Sequence, residues 1–389
     1  MLSPTPLSLI CALLLCLPLA IVFTVTSPAS TTTVTISGDA PKTPEALLST
    51  TLYSTAGGTH RKIKDKSIGP QPPPPRPPED DKSLFRLAAR VNSRPFPRDG
   101  TRKLAFMFLT TTPLPFAPLW EAYFNRTPKT LYNIYVHADP SFQYDPPFSG
   151  VFASRVIHSK PAERFTPTLT SAARRLLAHA LLDDPANAMF ALFSPSCVPI
   201  HSFNFTYQTL SRSKKSFIEI LANEVGTYDR WAARGPDVML PEVKLEDFRI
   251  GSQFWVLTRK HARFVVSDTR LWSKFSLPCE RLDTCYPEEN YFPTLLSMRD
   301  PSGCVPATLT HVNWTGSFDG HPRTYEASEV GHDLIQLLRD DRPRYGDDGT
   351  NGTDWSVAER NDPFLFARKF SPDAIQPLMS LAIDVLFKD

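Results

Sequence analysis

Two adjacent carboxylates, Glu288 and Glu289, follow Pro287 in the segment Cys285-Tyr286-Pro287-Glu288-Glu289. Proline followed by acidic residues is typical of a helix start, because acidic side chains complement the positive end of the helix dipole. Such a start can place one carboxylate in a cleft and the other in solvent, and a carboxylate beside a hydroxyl can act as a general base. The alternative is an ordinary role in starting the helix, with no chemistry.

Basic residues occur in two segments that are also rich in aromatic residues. One is Leu365-Phe366-Ala367-Arg368-Lys369-Phe370, and the other is HVNWTG at 311–316 followed by HPR at 321–323. Lysine is a good point-charge partner for phosphate. The alternatives are a cation pair whose stems lie along apolar surface and a glycosylated surface loop.

A further candidate is the tripeptide His137-Ala138-Asp139, which ends an apolar run and precedes a proline. At the carboxyl end of a buried strand, these residues are placed to contact a nucleotide. The alternative is a plain turn, for which aspartate before proline is common.

Several motifs are missing from the chain. It has no G-x-G-x-x-G, no Walker loop, no H-E-x-x-H, no G-x-S-x-G and no strict D-x-D. We therefore expect no cofactor and no metal, and any leaving-group charge would have to be neutralised by lysine or arginine.

Short apolar runs alternate with helical patterns along the body of the chain, which predicts an α/β fold with a parallel sheet. The predicted strands are 104–109, 131–136, 188–193 and 251–258, and the predicted helices are 118–124, 171–182, 259–268, 287–297 and 374–387. Ligands of such sheets bind outside the carboxyl ends of the strands, so the loops after the first three strands are the expected site.

The amino-terminal part of the chain predicts a tethered organisation. Residues 7–25 carry no charge across a run just long enough to span a membrane, so 1–26 is assigned to a signal anchor. A cleaved signal peptide is the alternative. Residues 27–100 are rich in serine, threonine and proline and are assigned to a stem, and 101–389 to a lumenal domain.

Four N-x-[ST] sequons, at Asn125, Asn204, Asn313 and Asn351, lie in the assigned lumenal domain and favour secretory topology, although any one of them can be unused. The body also contains four cysteines, which allow three disulfide connectivities, with buried free thiols as the alternative. They are Cys197, Cys279, Cys285 and Cys304. The near balance of 42 basic and 40 acidic residues argues against a nucleic-acid partner.

Taken together, these segments resemble the core-2/I-branching β-1,6-N-acetylglucosaminyltransferase family, and most closely its plant-type branch. The resemblance spans roughly residues 103–389. The segments that carry it are HAD (137–139), SPSCVPI (194–200), SFIEI (216–220), RIGSQFWVLTRKHA (249–262), CYPEENYFPTLL (285–296), HVNWTG (311–316), HPRTY (321–325) and LFARKF (365–370).

The resemblance implies a GT-A (Rossmann-like) fold, inverting chemistry, UDP-sugar donors and no metal requirement. It makes Glu289 the catalytic base and Lys369 a contact of the donor diphosphate, with Arg323 as the best match for a second cation. His137, Ala138 and Asp139 match a nucleotide-contacting strand end. N-acetylglucosamine is one candidate sugar, but the plant-type branch departs from the animal enzymes in the acceptor region.

The sequence therefore predicts a Golgi type II membrane protein that transfers a sugar from a UDP-sugar to a glycan or glycoprotein. Glu288 is expected to face away from Glu289, about 100° round the helix. A non-catalytic lumenal glycan-binding or scaffold protein is the main alternative, and a glycoside hydrolase, which needs two carboxyl groups flanking the bond, is a weaker one.

Overall fold

The computed structural model describes residues 77–93, 100–317, 320–347 and 360–389. The helices are α1 (Asp81–Ala88), α2 (Ala117–Phe124), α3 (Pro167–Asp183), α4 (Phe203–Arg212), α5 (Thr227–Trp231), α6 (Arg259–Ser267), α7 (Trp272–Phe275), α8 (Pro287–Arg299), α9 (His332–Asp340) and α10 (Ile375–Leu381). The strands are β1 (Lys103–Thr110), β2 (Tyr132–Ala138), β3 (Asn187–Phe193), β4 (Val198–Pro199), β5 (Ser216–Phe217), β6 (Val256–Thr258), β7 (Cys304–Val305), β8 (Thr310–Val312) and β9 (Phe366–Arg368).

A six-stranded sheet of order β2-β1-β3-β6-β5-β7 forms the centre of the fold. β1 pairs in parallel with both β2 and β3, and β7 is parallel to β5. β6 runs antiparallel to β3 and to β5. The α/β prediction is therefore confirmed, but a wholly parallel sheet is wrong. The alternating sequence pattern shows that a helix lies between two strands. It does not show whether the next strand runs parallel or antiparallel to its neighbours.

Alternate residues of the central strands enter two different hydrophobic cores, because successive side chains of a strand point to opposite faces. Phe106 and Phe108 of β1 pack into an aromatic core with Trp120, Phe193 and others. Ala105, Met107 and Leu109 enter the core on the other face, beneath α3 and α6. Burial on both faces explains why β1 is an unbroken apolar run in the sequence.

The predicted strands 104–109, 131–136 and 188–193 and the helices 118–124, 171–182, 259–268 and 287–297 are confirmed, with ends shifted by a few residues. The predicted strand 251–258 is wrong in its first half, since only Val256–Thr258 joins the sheet. Gly251 instead donates its N–H to the Glu289 carbonyl oxygen at 2.9 Å. The predicted closing helix consists of α10 followed by a π-helical turn, Ala382–Leu386.

Helix α1 lies inside the segment that the sequence analysis assigned to the stem. Leu84 and Ala88 are fully buried against α3 and α6, and Asp81 pairs with the Arg175 guanidinium. Asp80 caps the helix by accepting the Ser83 N–H at 2.8 Å. The folded body therefore extends at least to α1, and the stem boundary at residue 100 is wrong. An amphipathic helix of eight residues after a proline tract was too short to stand out by composition.

The other predictions for the amino-terminal part lie outside the described residues, namely the anchor at 1–26 and the rest of the stem. Within the described ranges, no helix is both long and apolar enough to cross a membrane. Asn351 also lies outside them.

A small second sheet of order β4-β9-β8 positions the two segments that are rich in basic and aromatic residues. β8 and β9 are parallel, and Val312 pairs with Arg368. Their carboxyl ends therefore meet at one edge, which places Trp314 and Lys369 close together in the fold.

Two of the four body cysteines form a disulfide, Cys279–Cys285, immediately before α8. Cys197 and Cys304 are buried free thiols. The structure thus resolves the question that the sequence left open, with one disulfide and two thiols within the described residues.

Candidate active site

A cleft of about 800 Å³ opens at the carboxyl ends of β1 and β3. Thr110, the last residue of β1, lines it together with Thr111 and with Ser194 after β3. The loop after β2 contributes Phe142. The three loops predicted to form the site therefore all reach the cleft, because parallel strands bring their carboxyl ends to one edge of the sheet.

Glu289 lies in the wall of this cleft, in the first turn of α8. Its Oε2 accepts a hydrogen bond from Arg230 Nη1 at 2.8 Å in an ion pair. The Arg230 guanidinium in turn lies over the Tyr286 ring at 4.5 Å. The Glu289 side chain keeps 33% of its surface exposed, so a ligand in the cleft can reach its carboxylate.

Glu288 also lines the cleft, so the expectation that it faces elsewhere is wrong. Its side chain is buried, and Oε2 has no hydrogen-bond partner within the described residues. Burial raises the pKa of Glu288 to about 8, and the neighbouring Glu289 charge contributes to that rise. Both glutamates of the first turn of α8 therefore line the same cleft, and Glu288 is a neutral carboxyl group at neutral pH.

A third carboxyl group in the cleft, Glu219, was not identified from the sequence. It follows β5, and burial raises its pKa to about 7, assisted by the charges of Glu224 and Glu289. A Cβ on Gly251 would collide with the Glu219 carbonyl oxygen, so the close approach of these two segments requires glycine. The apolar neighbours of Glu219 in SFIEI gave no reason to single it out.

Cations line the cleft from several elements. Lys369 and Arg368 come from the end of β9, and Arg368 lies over the Phe254 ring at 4.4 Å. Arg344, which the sequence analysis missed, lines the cleft and pairs with Glu224 at 2.9 Å. Arg164 lines it from the loop before α3. This set can stabilise an anion in the cleft.

Arg323 does not line the cleft, although its neighbours His321 and Pro322 do. Its guanidinium pairs with Glu329 and lies over the Tyr325 ring. Tyr325, two residues further on, donates its N–H to the Lys369 carbonyl oxygen at 2.8 Å, so this segment runs beside Lys369 while the Arg323 guanidinium is held by Glu329. Spacing along the chain could not show this, because the direction of the guanidinium is set by its ion pair with Glu329 in the folded chain.

His137, Ala138 and Asp139 are buried at the end of β2, and none of them lines the cleft directly. Asp139 accepts the N–H groups of Ser141 at 2.8 Å and of Ala162 at 2.6 Å, and Ala162 is a cleft residue. Burial lowers the pKa of His137 to about 4, so its ring is neutral. These residues fix the surrounding loops, and a direct contact with a nucleotide stays a prediction.

Three of the four sequons fall within the described residues. Asn125 and Asn204 are exposed, whereas Asn313 is partly buried and its Oδ1 accepts the Thr315 N–H at 2.8 Å. Glycosylation of each stays a prediction. Within the same ranges, no group of three or more histidine, cysteine, aspartate or glutamate side chains is arranged to hold a metal ion.

A second cavity, of about 430 Å³, lies at the amino ends of β1 and β3. Its wall contains His261, whose Nδ1 lies 2.7 Å from Ser216 Oγ and whose Nε2 lies 3.0 Å from Asp300 Oδ2. Although this order of groups is that of a hydrolase triad, Ser216 is completely buried and also accepts the Thr258 N–H. We interpret the chain of hydrogen bonds as a structural connection between β5, α6 and the turn after α8.

An α/β domain with an accessible carboxylate and several cations in a cleft at the strand ends has the groups that a transferase with an anionic leaving group requires. Comparison with known proteins agrees. The model of the Core-2/I-Branching enzyme family matches residues 104–339, and this chain belongs to that family of glycosyltransferases. A family of this kind acts on a sugar donor and a glycan acceptor.

Two relatives illustrate the range of the family. Glycosyltransferase BC10 of Oryza sativa subsp. japonica is 32% identical over 329 residues, which cover 76% of this chain and 80% of that protein. The human probable beta-1,3-galactosyl-O-glycosyl-glycoprotein beta-1,6-N-acetylglucosaminyltransferase 7 is 29% identical over 143 residues, 34% of this chain and 28% of the human one.

Proposed function

We propose that this protein is an inverting, metal-independent glycosyltransferase with a GT-A fold, which transfers a sugar from a UDP-sugar to a hydroxyl group of a glycan or glycoprotein. The observation that carries this proposal is that Glu289 and Lys369, which are far apart in the sequence, line one cleft. A base and a cation in the same cleft can act on the two ends of a displacement reaction.

In the proposed reaction, the Glu289 carboxylate removes the proton of the acceptor hydroxyl. The acceptor oxygen forms a bond to the anomeric carbon on the face opposite UDP. The bond between that carbon and the diphosphate oxygen breaks, its electron pair leaves with UDP, and the configuration inverts. The Arg230 ion pair orients the carboxylate before reaction.

Charge develops on the diphosphate as the bond breaks, and cations fixed in the cleft stabilise it. We assign this role to Lys369 together with Arg344, which lines the cleft where Arg323 does not. Two cations in a partly dehydrated cleft can take the place of a divalent ion.

N-acetylglucosamine is our candidate for the transferred sugar, because the printed name of the human relative contains that activity. The proposed location is the Golgi membrane, with the anchor at 1–26 and the domain in the lumen. When the full chain is expressed, it should stay with the membranes during a carbonate wash. A protein recovered in the wash supernatant and cleaved near Ser27 would instead indicate a signal peptide.

The proposal is tested with the full-length chain by calorimetric titration with UDP, with ADP as the matched control. We expect UDP to bind more tightly than ADP, and one sugar in a panel of UDP-sugars to be hydrolysed slowly. Absence of UDP binding, or equal affinity for ADP, would refute the UDP-sugar donor.

A further inference from the structure

The second cavity lies at the amino ends of β1 and β3, whereas the candidate active site lies at their carboxyl ends. Its volume of about 430 Å³ falls in the range that small-molecule ligands occupy. None of its lining residues also lines the cleft that contains Glu289. The proposed function therefore leaves this cavity without a role.

Positive charge is concentrated in the lining of the second cavity. Four cationic side chains line it, against the single carboxylate of Asp300. They come from separate parts of the chain, since Arg102 precedes β1, Lys214 follows α4, and Arg259 and Lys260 begin α6. Asp300 is already paired with Lys260 at 2.5 Å. The other three cations therefore have no carboxylate of the lining to themselves.

The Arg259 side chain places a buried positive charge in the wall of this cavity. Its guanidinium donates to four backbone carbonyl oxygens at 2.8–3.3 Å, those of Asn92, Leu181, Asp184 and Asn187. Carbonyl oxygens satisfy the N–H groups but carry no net charge. Burial lowers the pKa of Arg259 to about 10, so the group stays charged at neutral pH. A buried charge without a counter-ion is costly, and an anion in the cavity would offset that cost.

Two of the other cations, Arg102 and Lys214, are exposed and can turn toward a ligand. The Arg102 guanidinium donates to the Ser211 carbonyl oxygen at 3.4 Å, which is a long hydrogen bond. The positive end of the α6 dipole adds to this charge, because the Thr258 cap and the first turn of α6 line the cavity. Cations beside a helix start are a suitable setting for phosphate or sulfate oxygens.

Hydroxyl groups form much of the remaining polar lining. They come from Ser93, Ser211, Ser213 and Thr258. A hydroxyl group both donates and accepts hydrogen bonds, so it suits the alcohol groups of a sugar. A tetrahedral oxyanion is only a few times the size of a water molecule, which takes about 30 Å³ in the liquid. The cavity therefore has room for a sugar ring attached to the oxyanion.

We propose that the second cavity binds a small sugar that carries a phosphate or sulfate group, with Arg102 and Lys214 donating to the oxyanion. The site does not depend on the proposed reaction, because it shares no lining residue with the cleft. Phosphate and sulfate esters present the same tetrahedral oxyanion, so the experiment includes both.

The test is calorimetric titration of the full-length chain with glucose 6-phosphate and glucose 6-sulfate, with glucose, inorganic phosphate and inorganic sulfate as references. We expect at least one ester to bind about tenfold or more tightly than any of the three references. Lys214→Ala and Arg102→Ala should each weaken that binding about tenfold, as for the loss of a hydrogen bond to a charged group. Because both side chains are exposed, neither substitution disturbs the core.

Arg212→Ala is the matched control, because Arg212 is an exposed cation close to Lys214 that does not line the cavity. It should leave the affinity for the ester unchanged. Lys369→Ala, which removes a cation of the cleft, should also leave it unchanged.

The proposal is overturned if neither ester binds the wild type, or if glucose or an inorganic ion binds as tightly as the esters. Equal binding by the wild type and by both cavity variants overturns it as well. Loss of affinity in Lys369→Ala, with none in the cavity variants, would place the ester at the diphosphate site and also overturn it. Failure of the proposed function would appear separately, as absent UDP binding by a chain that still binds the ester.

Discussion

Arg230 and Glu289 form an ion pair of 2.8 Å in the wall of the cleft, although they come from α5 and α8. The pair keeps Glu289 at the surface of the cleft, with its carboxylate directed by a guanidinium that itself lies on the Tyr286 ring. Among the described residues, the adjacent Glu288 has no ion-pair partner, and burial keeps it neutral. Two neighbouring glutamates thus have different chemistry because of their surroundings.

Replacing Glu289 should separate chemistry from binding. Glu289→Gln removes the base but keeps the shape of the side chain, so we expect transfer to slow by about 100- to 10,000-fold. UDP affinity, measured by calorimetry, should stay close to that of the wild type. Normal transfer by this variant would show that the base lies elsewhere.

Lys369 and Arg323 form a matched pair of cation variants. Lys369→Ala should weaken UDP binding by about 1.5–3 kcal/mol, the contribution of a hydrogen bond to a charged group. Arg323→Ala should leave UDP binding unchanged, because Arg323 pairs with Glu329 outside the cleft lining. Weaker UDP binding by Arg323→Ala in calorimetry would restore to Arg323 the role of second cation beside Lys369 that the family resemblance implied.

Glu288 should give the cleft a pH dependence. Below a pH of about 8 Glu288 is neutral, and above it the group ionises and adds negative charge beside the diphosphate site. UDP affinity should therefore fall as the pH rises through 8 in the wild type and fall less in Glu288→Gln. Because Glu219 titrates near pH 7, Glu219→Gln is the control for its contribution. Identical profiles for the wild type and Glu288→Gln would contradict this assignment.

The same burial predicts a stability effect of defined sign. The ordinary pKa of a glutamate is 4.5, so between that value and about 8 the folded chain keeps a proton that the unfolded chain has released. The free energy of unfolding should then decrease with rising pH across this window, and Glu288→Gln should flatten the slope in denaturant titrations.

Metal independence remains to be measured. Once a substrate is available, transfer should be unchanged by EDTA if, as proposed, Lys369 and Arg344 rather than a metal ion neutralise the leaving group. Loss of activity in EDTA that manganese restores would mean that Lys369 and Arg344 do not stabilise the diphosphate charge without a metal ion.

Helix α1 should contribute to the stability of the folded body. Leu84→Ala in the full chain should lower the free energy of unfolding by about 2–5 kcal/mol, as for a leucine removed from a core. Leu87→Ala is the control in the same helix, since Leu87 is exposed, and should change it by less than about 0.5 kcal/mol. Equal effects would mean that α1 does not pack as part of the domain.

The sequence alone determined those features whose signal is local. The segments that form β1, β2 and β3 are apolar because both faces of each strand are buried. The start of α8 is indicated by Pro287 and the two glutamates that follow it. Local sequence singled out the acidic pair with Glu289 and the cation pair with Lys369 as candidates, while their roles in the reaction came from the family resemblance and stay predictions. These features depend on interactions among residues near in the chain.

Only the tertiary structure decided which side chains share the cleft and in what protonation state. Arg344 lines the cleft and pairs there with the distant Glu224, whereas the Arg323 guanidinium pairs with Glu329 outside the cleft lining. The neutral state of Glu288 and the raised pKa of Glu219 arise from burial by other elements, chiefly through loss of water around the carboxyl groups. The positions of Glu288 and Glu219 in the sequence give no information on how far other elements bury their carboxyl groups.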